Sequence, residues 1–379
     1  MSKPTPDTIL ALAEAIVERN AGRDRMYDRL DKLYFMEHAK RAADDGVELV
    51  HMPYATAVVD LVTDLAAVMK VHINVPAASE SLEAEQDAEA IEAWCRSILA
   101  MNQRKQQTNL IGQAGWVGAQ RAAVCMRTLY NDKSIKLSDE DAQLSGLPVV
   151  LQLRDPRHVY VADGPLGPRY VIERWTRPAA DVRALYPRAL DPEIDDDTDI
   201  EWTEYWDDTY RAYFANGAII KQKGGKVVAH GYGCLPYSFG YARTTVMRDG
   251  AKRYRPILVA VETLAHSIDT WFSIAGTAGL GSVTNAWAIF SDTLTGETGK
   301  QINLTPGYIN YLGLQDKLQA VQRASLPPDF FQWGTQLFQA WQAETFPFNL
   351  FGQSPGDIAG YAISLLSQAG RRIILPIWN

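Results

Sequence analysis

The chain has 379 residues, a formal charge of −8, and 22% charged against 47% hydrophobic residues. That length exceeds one core of ordinary size and predicts two or three domains, and the composition excludes a disordered or fibrous chain. The acidic balance excludes a protein that coats itself in nucleic acid by bulk attraction, although it leaves room for a local basic surface.

In chain order, MSKPTPD lacks the charged-then-apolar plan of a signal peptide, so synthesis in a cytoplasm is expected. A first amphipathic helix, capped by Thr5 or Asp7, carries Ile9, Leu12, Ala15 and Ile16. A second, RDRMYDRLDKLYFMEHAKRAADD, places Met26, Leu30, Leu33 and Tyr34 on one side. Pro53 opens a third, PYATAVVDLVTDLAAVMK, with a stripe of Val58, Leu61, Leu65 and Val68, and VHINVP reads as a short strand after it. Acidic residues then crowd the start of SESLEAEQDAEAIEAWCRSILAMNQ, where they suit the positive end of a helix dipole.

From about Ala122 the period shortens, in AAVCMRTLYND, SIKLS, PVVLQLRD, RHVYVADG and PRYVIERWTRP, and short strands at regular spacing predict a mixed sheet. PAADVRALYP is a small helix before the acidic loop DPEIDDDTD. IEWTEYWDD, TYRAYFAN and GKVVAHGYG predict a meander turning at Asn216-Gly217 and Gly224-Gly225.

A long helix follows in RPILVAVETLAHSIDTWFSIAGTAGLG, with Ile257, Val261, Leu264, Ile268, Trp271 and Ala275 on one face and Pro256 in its first turn. Glu262, His266 and Asp269 interrupt the apolar run and argue against a membrane span. Strands are predicted in NAWAIFSD and GKQINLTPGYINYL. A second helix starts at Pro327-Pro328-Asp329, presents Phe330, Gly334, Leu337 and Trp341, and ends at Phe346-Pro347. FPFNLFGQSPGDIAG is apolar but full of helix breakers, and a final helix runs from about Ile358 to Arg372. Two long helices flanking a small β excursion should pack as an antiparallel pair with the excursion at its tip.

Motifs for chemistry are weak. GETGKQ has a misplaced first glycine and Gln301 where a phosphate-binding loop needs Ser or Thr. Asp195, Asp197 and Asp199 start like a calcium loop, but Ile200 and Trp206 stand where glycine and a bidentate carboxylate belong. The histidines show no ligand spacing, no serine triad signature occurs, and Cys95, Cys125 and Cys234 read as buried free thiols. No catalytic, cofactor-binding or metal residue is therefore nominated, and no cofactor is expected. Arg248, Lys252, Arg253 and Arg255 form a basic cluster before the long helix, which faces either phosphates, a protein partner or plain solvent. The aromatic group Trp333, Phe338, Trp341, Phe346, Phe348 and Phe351 lacks interleaved basic residues, which favours packing over base stacking.

The phrases YDRLDKLYFMEH, PYATAVVDLVTDLAAVMKVHINVP, VVLQLRDPRHVYVADG, WTEYWDD, GYGCLPYSFGY, PGYINYL and FGQSPGDIAGYAISLL occur in an order that resembles the portal proteins of tailed bacteriophages. The resemblance implies an α+β, multi-domain fold with a helical and mixed β wing at 1–250, helical over 1–121 and β-rich over 122–250. It implies a first stem helix at 251–284, a clip at 285–326, a second stem helix at 327–345, a channel loop at 346–360 and a return helix at 361–379. It further implies a non-enzymatic homo-oligomeric ring, twelve-fold in that family, at one capsid vertex of a virion assembled in the host cytoplasm. Double-stranded DNA would pass through it, and a packaging motor (terminase), neck and tail adaptors and the major capsid protein would dock on it, with no membrane.

By the same resemblance the channel loop comprises Phe346, Phe348, Asn349, Leu350, Phe351, Gly352, Gln353, Ser354 and Gly356, and Asp292, Thr293, Glu297, Lys300 and Asn303 of the clip meet partners. The family continues into a helical crown, whereas this sequence stops at Trp378-Asn379, so the crown is reduced or absent or the chain continues further. Two alternatives stay open: a head-to-tail adaptor or other capsid protein without a channel, and a metal-dependent nuclease of the packaging machinery centred on Asp195 to Asp199.

Overall fold

A 29-residue helix, α1 (Pro6–Tyr34), opens the chain, with Thr5 accepting the Thr8 N–H at 3.3 Å and Pro6 in its first turn. The computed structural model describes residues 3–37, 49–69, 71, 73–131, 145–165, 167–247, 249–283, 286–290, 317–321 and 326–344. The two helices read separately from sequence are this one helix. Its buried positions Ile9, Ala13, Ile16, Arg23, Met26, Tyr27, Leu30 and Leu33 form one long face. Gly22 lies where a short helix crosses, since a Cβ there would lie 3.4 Å from the Cβ of Ala251.

α2 (Tyr54–Val68) follows, and its buried residues are Ala55, Val58, Val59, Val62 and Ala66. The stripe expected through Val68 is therefore rotated, and Val68 itself is exposed. VHINVP forms no strand in its described residues, and the Val75 N–H is taken by Glu92 instead of by a neighbouring strand (2.9 Å). α3 (Leu82–Gln106) has Ser81 as its cap, Glu83 and Glu85 in its first turn and Arg104 and Lys105 in its last, each charge matching the helix dipole. α4 (Leu110–Arg121) was not singled out from sequence, because Gly112, Gly115 and Gly118 lower helix propensity. These buried glycines thin one face, and a Cβ on Gly112 would lie 3.2 Å from that of Ala67 at the end of α2.

The strands are β1 (Ala123–Tyr130), β2 (Val149–Arg154), β3 (Val159–Gly164), β4 (Gly167–Pro178), β5 (Asp199–Asp207), β6 (Tyr210–Ala215), β7 (Ala218–Ile219), β8 (Val227–Ala229) and β9 (Tyr237–Tyr241), with α5 (Ala179–Leu185) between β4 and β5. They make a three-stranded sheet, β2-β1-β9, and a six-stranded one, β3-β4-β5-β6-β7 with β8 also on β6, antiparallel throughout. The meander and its turns are as expected, with Asn216 and Gly217 at φ 47° and 74°. Edge strand β2 is covered by side chains of α3. Asn102 donates to Val149 O (3.0 Å) and accepts from Leu151 N (2.9 Å), and Gln106 donates to Leu151 O (2.7 Å).

The larger sheet is buried on both faces. Ile9, Ala13 and Ile16 of α1 pack on Tyr160, Ile172, Tyr205 and Phe214, whereas Val171, Trp202, Trp206 and Tyr213 meet Cys125, Leu129 and Tyr237 of the smaller sheet. Only Cys125 of the three free cysteines is buried; Cys95 is half-buried and Cys234 exposed, contrary to expectation. The third core joins α1, α2 and α4 to a later helical segment.

Four charges sit between the two sheets. Glu204, fully buried, pairs with Arg127 and accepts the indole N–H groups of Trp202 (2.8 Å) and Trp206 (2.9 Å). Arg127 also donates to Gln152 (2.9 Å), and Arg154 binds the buried Glu173 (2.6 Å). Burial alone would raise the Glu204 pKa, but the Arg127 and Arg154 charges and the indole donors hold it below the ordinary carboxylate range. A depressed carboxylate stabilises the fold fully above its unfolded pKa, about 4.3, and loses that contribution as pH falls through the folded value. We predict that Glu204→Gln, which leaves Arg127 without its closest counter-charge, costs about 3–5 kcal/mol in urea unfolding at neutral pH. The variant should lose less stability than the wild type when the pH drops below about 4.

Candidate functional site

The long helix read from Pro256 begins later, as α7 (Glu262–Val283), after a 3-10 turn at Ile257–Ala260. The delay has a backbone cause: Thr245 N bonds Arg253 O and Arg255 N bonds Arg243 O, so the chain arrives extended. The polar residues that interrupted its apolar face are its attachments. Asp269 accepts the Met52 N–H (2.9 Å) and lies 3.2 Å from His51 Nδ1. Ser273 accepts the Val50 N–H (2.9 Å) and donates to Asp269 O (2.7 Å), while Glu262 accepts from Arg29 of α1 (2.9 Å). Val261, Ala265 and Ile268 complete the seat against α1 and α2.

α8 (Pro328–Glu344) packs on α7 through rings. Trp271 stacks on Phe330 (centroids 5.5 Å apart, planes 13° apart) and donates its N–H to Phe330 O at 2.9 Å. Phe338 fits edge-on between Trp271 and Phe272, and Tyr54 of α2 touches both Phe338 (5.7 Å) and Trp341 (5.9 Å). The packing expected for Phe338 and Trp341 is thus present, and Trp333 touches Phe330 while staying more than a third exposed. Between the helices, β10 (Ala286–Phe290) and β11 (Lys317–Val321) pair antiparallel from Ala286 with Val321 to Phe290 with Lys317. The chain that leaves α7 therefore returns along itself before entering α8.

The basic cluster is divided by the structure. Lys252 and Arg253 lie on α6 (Gly250–Arg253), Arg253 paired with Asp163 of β3 and within 5.7 Å of the Tyr241 and Tyr254 rings. Burial lowers the Arg253 pKa, but the bond to Asp163 more than reverses it. Arg255 is exposed, and burial together with the Arg255 charge pushes the Arg243 guanidinium down. Sequence reading missed three arginines that the fold brings alongside. Arg19 and Arg23 of α1 and Arg169 of β4 line a cleft of about 800 Å³ with Arg253, Asp163, Val246 and Met247. Arg23 is buried and occupied, bonded to Asp24 (2.9 Å) and Val159 O (3.0 Å); Arg19 and Arg169 are exposed. No local signal marks them, because the α1 crossing and the β3–β4 hairpin alone make them neighbours.

Arg248, the residues expected to meet partners (Asp292, Thr293, Glu297, Lys300 and Asn303), those expected in a channel loop from Phe346 to Gly356 and the helix expected at 361–379 lie outside the described residues. The acidic loop serves α5: Thr198 O and Asp196 O accept the N–H groups of Ala179 (2.9 Å) and Ala180 (3.0 Å), and Arg183 pairs with Asp196. Among the described residues no three His, Cys, Asp or Glu side chains gather as a metal site, and no helix is long and apolar enough to cross a membrane.

The helix contact depends on Gly334, where a Cβ would fall 2.4 Å from Cε2 of the Trp271 ring. Gly334→Ala should lower the melting temperature, because overpacking by about 1–3 kcal/mol exceeds the gain of up to about 1 kcal/mol in helix propensity. Gly276→Ala on the exposed side of α7, where a Cβ meets nothing within 4 Å, should instead raise stability by roughly 0.5–1 kcal/mol. Searched against protein-family models and curated proteins, the chain matches none.

Proposed function

We propose that the chain is the subunit of a phage portal: a closed ring at one capsid vertex that passes double-stranded DNA and serves as the platform for a packaging motor and neck or tail adaptors. The observation that carries this reading is the α7–α8 pair, interrupted by an antiparallel β10–β11 ladder and seated by polar bonds on a mixed α/β body. This order of elements is what supports reading a wing, a stem pair and a β tip in the chain. The role is structural, with the major capsid protein around the ring and no chemistry assigned to the chain.

Charge supports a conduit. α7 and α8 hold no Lys or Arg; of their acids, Glu262 and Asp269 are occupied within the subunit by Arg29 and the Met52 N–H, and Asp329 is exposed. From Pro256 onward the sequence holds eight acids against five bases, a charge of −3 that a ring multiplies. A basic lining holds phosphates by counterion release, whereas an acidic one lets a duplex slide. Ring formation requires two different faces of the subunit to meet, as in any heterologous closed assembly.

Two outcomes are expected in infected cells of the host. Antibody labelling of particles should find the protein at a single vertex, and uniform labelling or none rejects the reading. Gly356→Pro, or deletion of Phe348 to Gly352, should leave assembled heads in normal number but reduce the fraction filled with DNA, as gradient sedimentation measures.

A further inference from the structure

The arginine cleft and the first half of α3 have complementary chemistry. In the cleft, Arg19 and Arg169 are exposed and form no ion pair among the described residues, and its rim presents Val246 (102% exposed) and Met247 (53%). Arginine and methionine with bare apolar surface is the composition of a protein interface more than of a phosphate track. α3 has the opposite charge. Between Leu82 and Ser97 only Ala88 is buried. Glu83, Glu85, Asp87 and Glu89 are exposed, with no ion pair among the described residues, and Leu82 (71%), Ile91 (47%) and Trp94 (55%) are bare.

The two surfaces lie towards opposite ends of β1. Gln106 and Asn102 fix the later half of α3 along β2, from Leu151 towards Val149, and Val149 pairs with Tyr130, the last residue of β1. The earlier half of α3 therefore projects past the Tyr130 end. The Thr245–Met247 rim of the cleft follows Tyr241, which pairs with Ala123 at the start of β1. The eight-residue β1, roughly 25 Å long, runs between these two ends. A helix arm at one end and a cleft of opposite charge at the other cannot satisfy each other within one chain, but can do so between successive copies.

We propose that the projecting half of α3 of one copy docks in the arginine cleft of the next, its acids against Arg19 and Arg169 and its bare apolar residues against Val246 and Met247. The contact is head-to-tail, the kind that closes rings. It rests on the ring reading above and specifies its surfaces.

The test uses the full chain and light scattering across a concentration series. An arm variant (Glu83→Arg, Glu85→Arg, Glu89→Arg) and a cleft variant (Arg19→Glu, Arg169→Glu) change exposed side chains, so both should keep the wild-type circular dichroism spectrum. Each alone should require at least about tenfold more protein for half-assembly, since like charges then meet. Mixed together they should assemble as the wild type does, because the basic arm of one then faces the acidic cleft of the other. Without any variant, raising salt from about 0.05 to about 1 M should weaken wild-type assembly. Assembly unchanged in both variants would reject this contact and leave the ring reading standing, whereas a wild type monomeric at every concentration and salt rejects both. Binding of a DNA duplex that is lost in the cleft variant, with assembly intact, also overturns the proposal and assigns the cleft to phosphates.

Discussion

One arginine joins the helical half of the chain to its sheets. Arg121, the last residue of α4 and only 2% exposed, donates to Asp31 of α1 (2.6 and 3.0 Å) and to Asp155 between β2 and β3 (2.9 and 3.1 Å). Asp31 accepts further bonds from Gln120 and Arg157, both at 3.1 Å. Burial opposes the Asp155 charge, but the bond and charge of Arg121 hold its pKa below the usual range. Such a junction is costly to break, because losing either carboxylate leaves the buried Arg121 guanidinium short of a counter-charge. Its geometry is also directional: bidentate contacts fix the angle between helix and sheet as well as their distance.

That fixed angle matters because α7 is mounted on the same helices. Its attachments to residues 50–52 and to Arg29 are specific polar bonds beside an apolar seat, so the helix has a defined register. α8 is held differently, by stacked and edge-on rings around Trp271 and by the absence of a side chain at Gly334. The chain from the α1–α4 layer through α7 to α8 is thus a continuous series of close contacts.

Much of this was legible in the sequence where one local period dominated. β5 was read from IEWTEYWDD, although its burial is continuous from Trp202 to Asp207, the Asn216-Gly217 turn named itself, and α8 is described as far as Glu344, with the predicted end at Thr345 outside the described residues. The failures have particular causes. Two helices were read where α1 runs unbroken through Gly22, and α4 was not singled out; a Cβ on Gly22 would lie 3.4 Å from that of Ala251 and one on Gly112 3.2 Å from that of Ala67, so both glycines sit where another element approaches. Pro256 looked like a first turn, but pairing of residues 243–245 with 253–255 delays α7 to Glu262. The arginine cleft could not be read at all, since Arg19, Arg169 and Arg253 meet only through tertiary crossings. Asp269 was seen as an argument against a membrane, and only the fold shows which backbone N–H it serves.

The account stands on the subunit closing into a ring, and negative-stain electron microscopy of the purified chain over a concentration series tests that most directly. It predicts end-on views of closed rings of about a dozen copies with a central hole, as a heterologous contact that closes requires. Isolated particles of single-chain size, 42.1 kDa, at every concentration would contradict it.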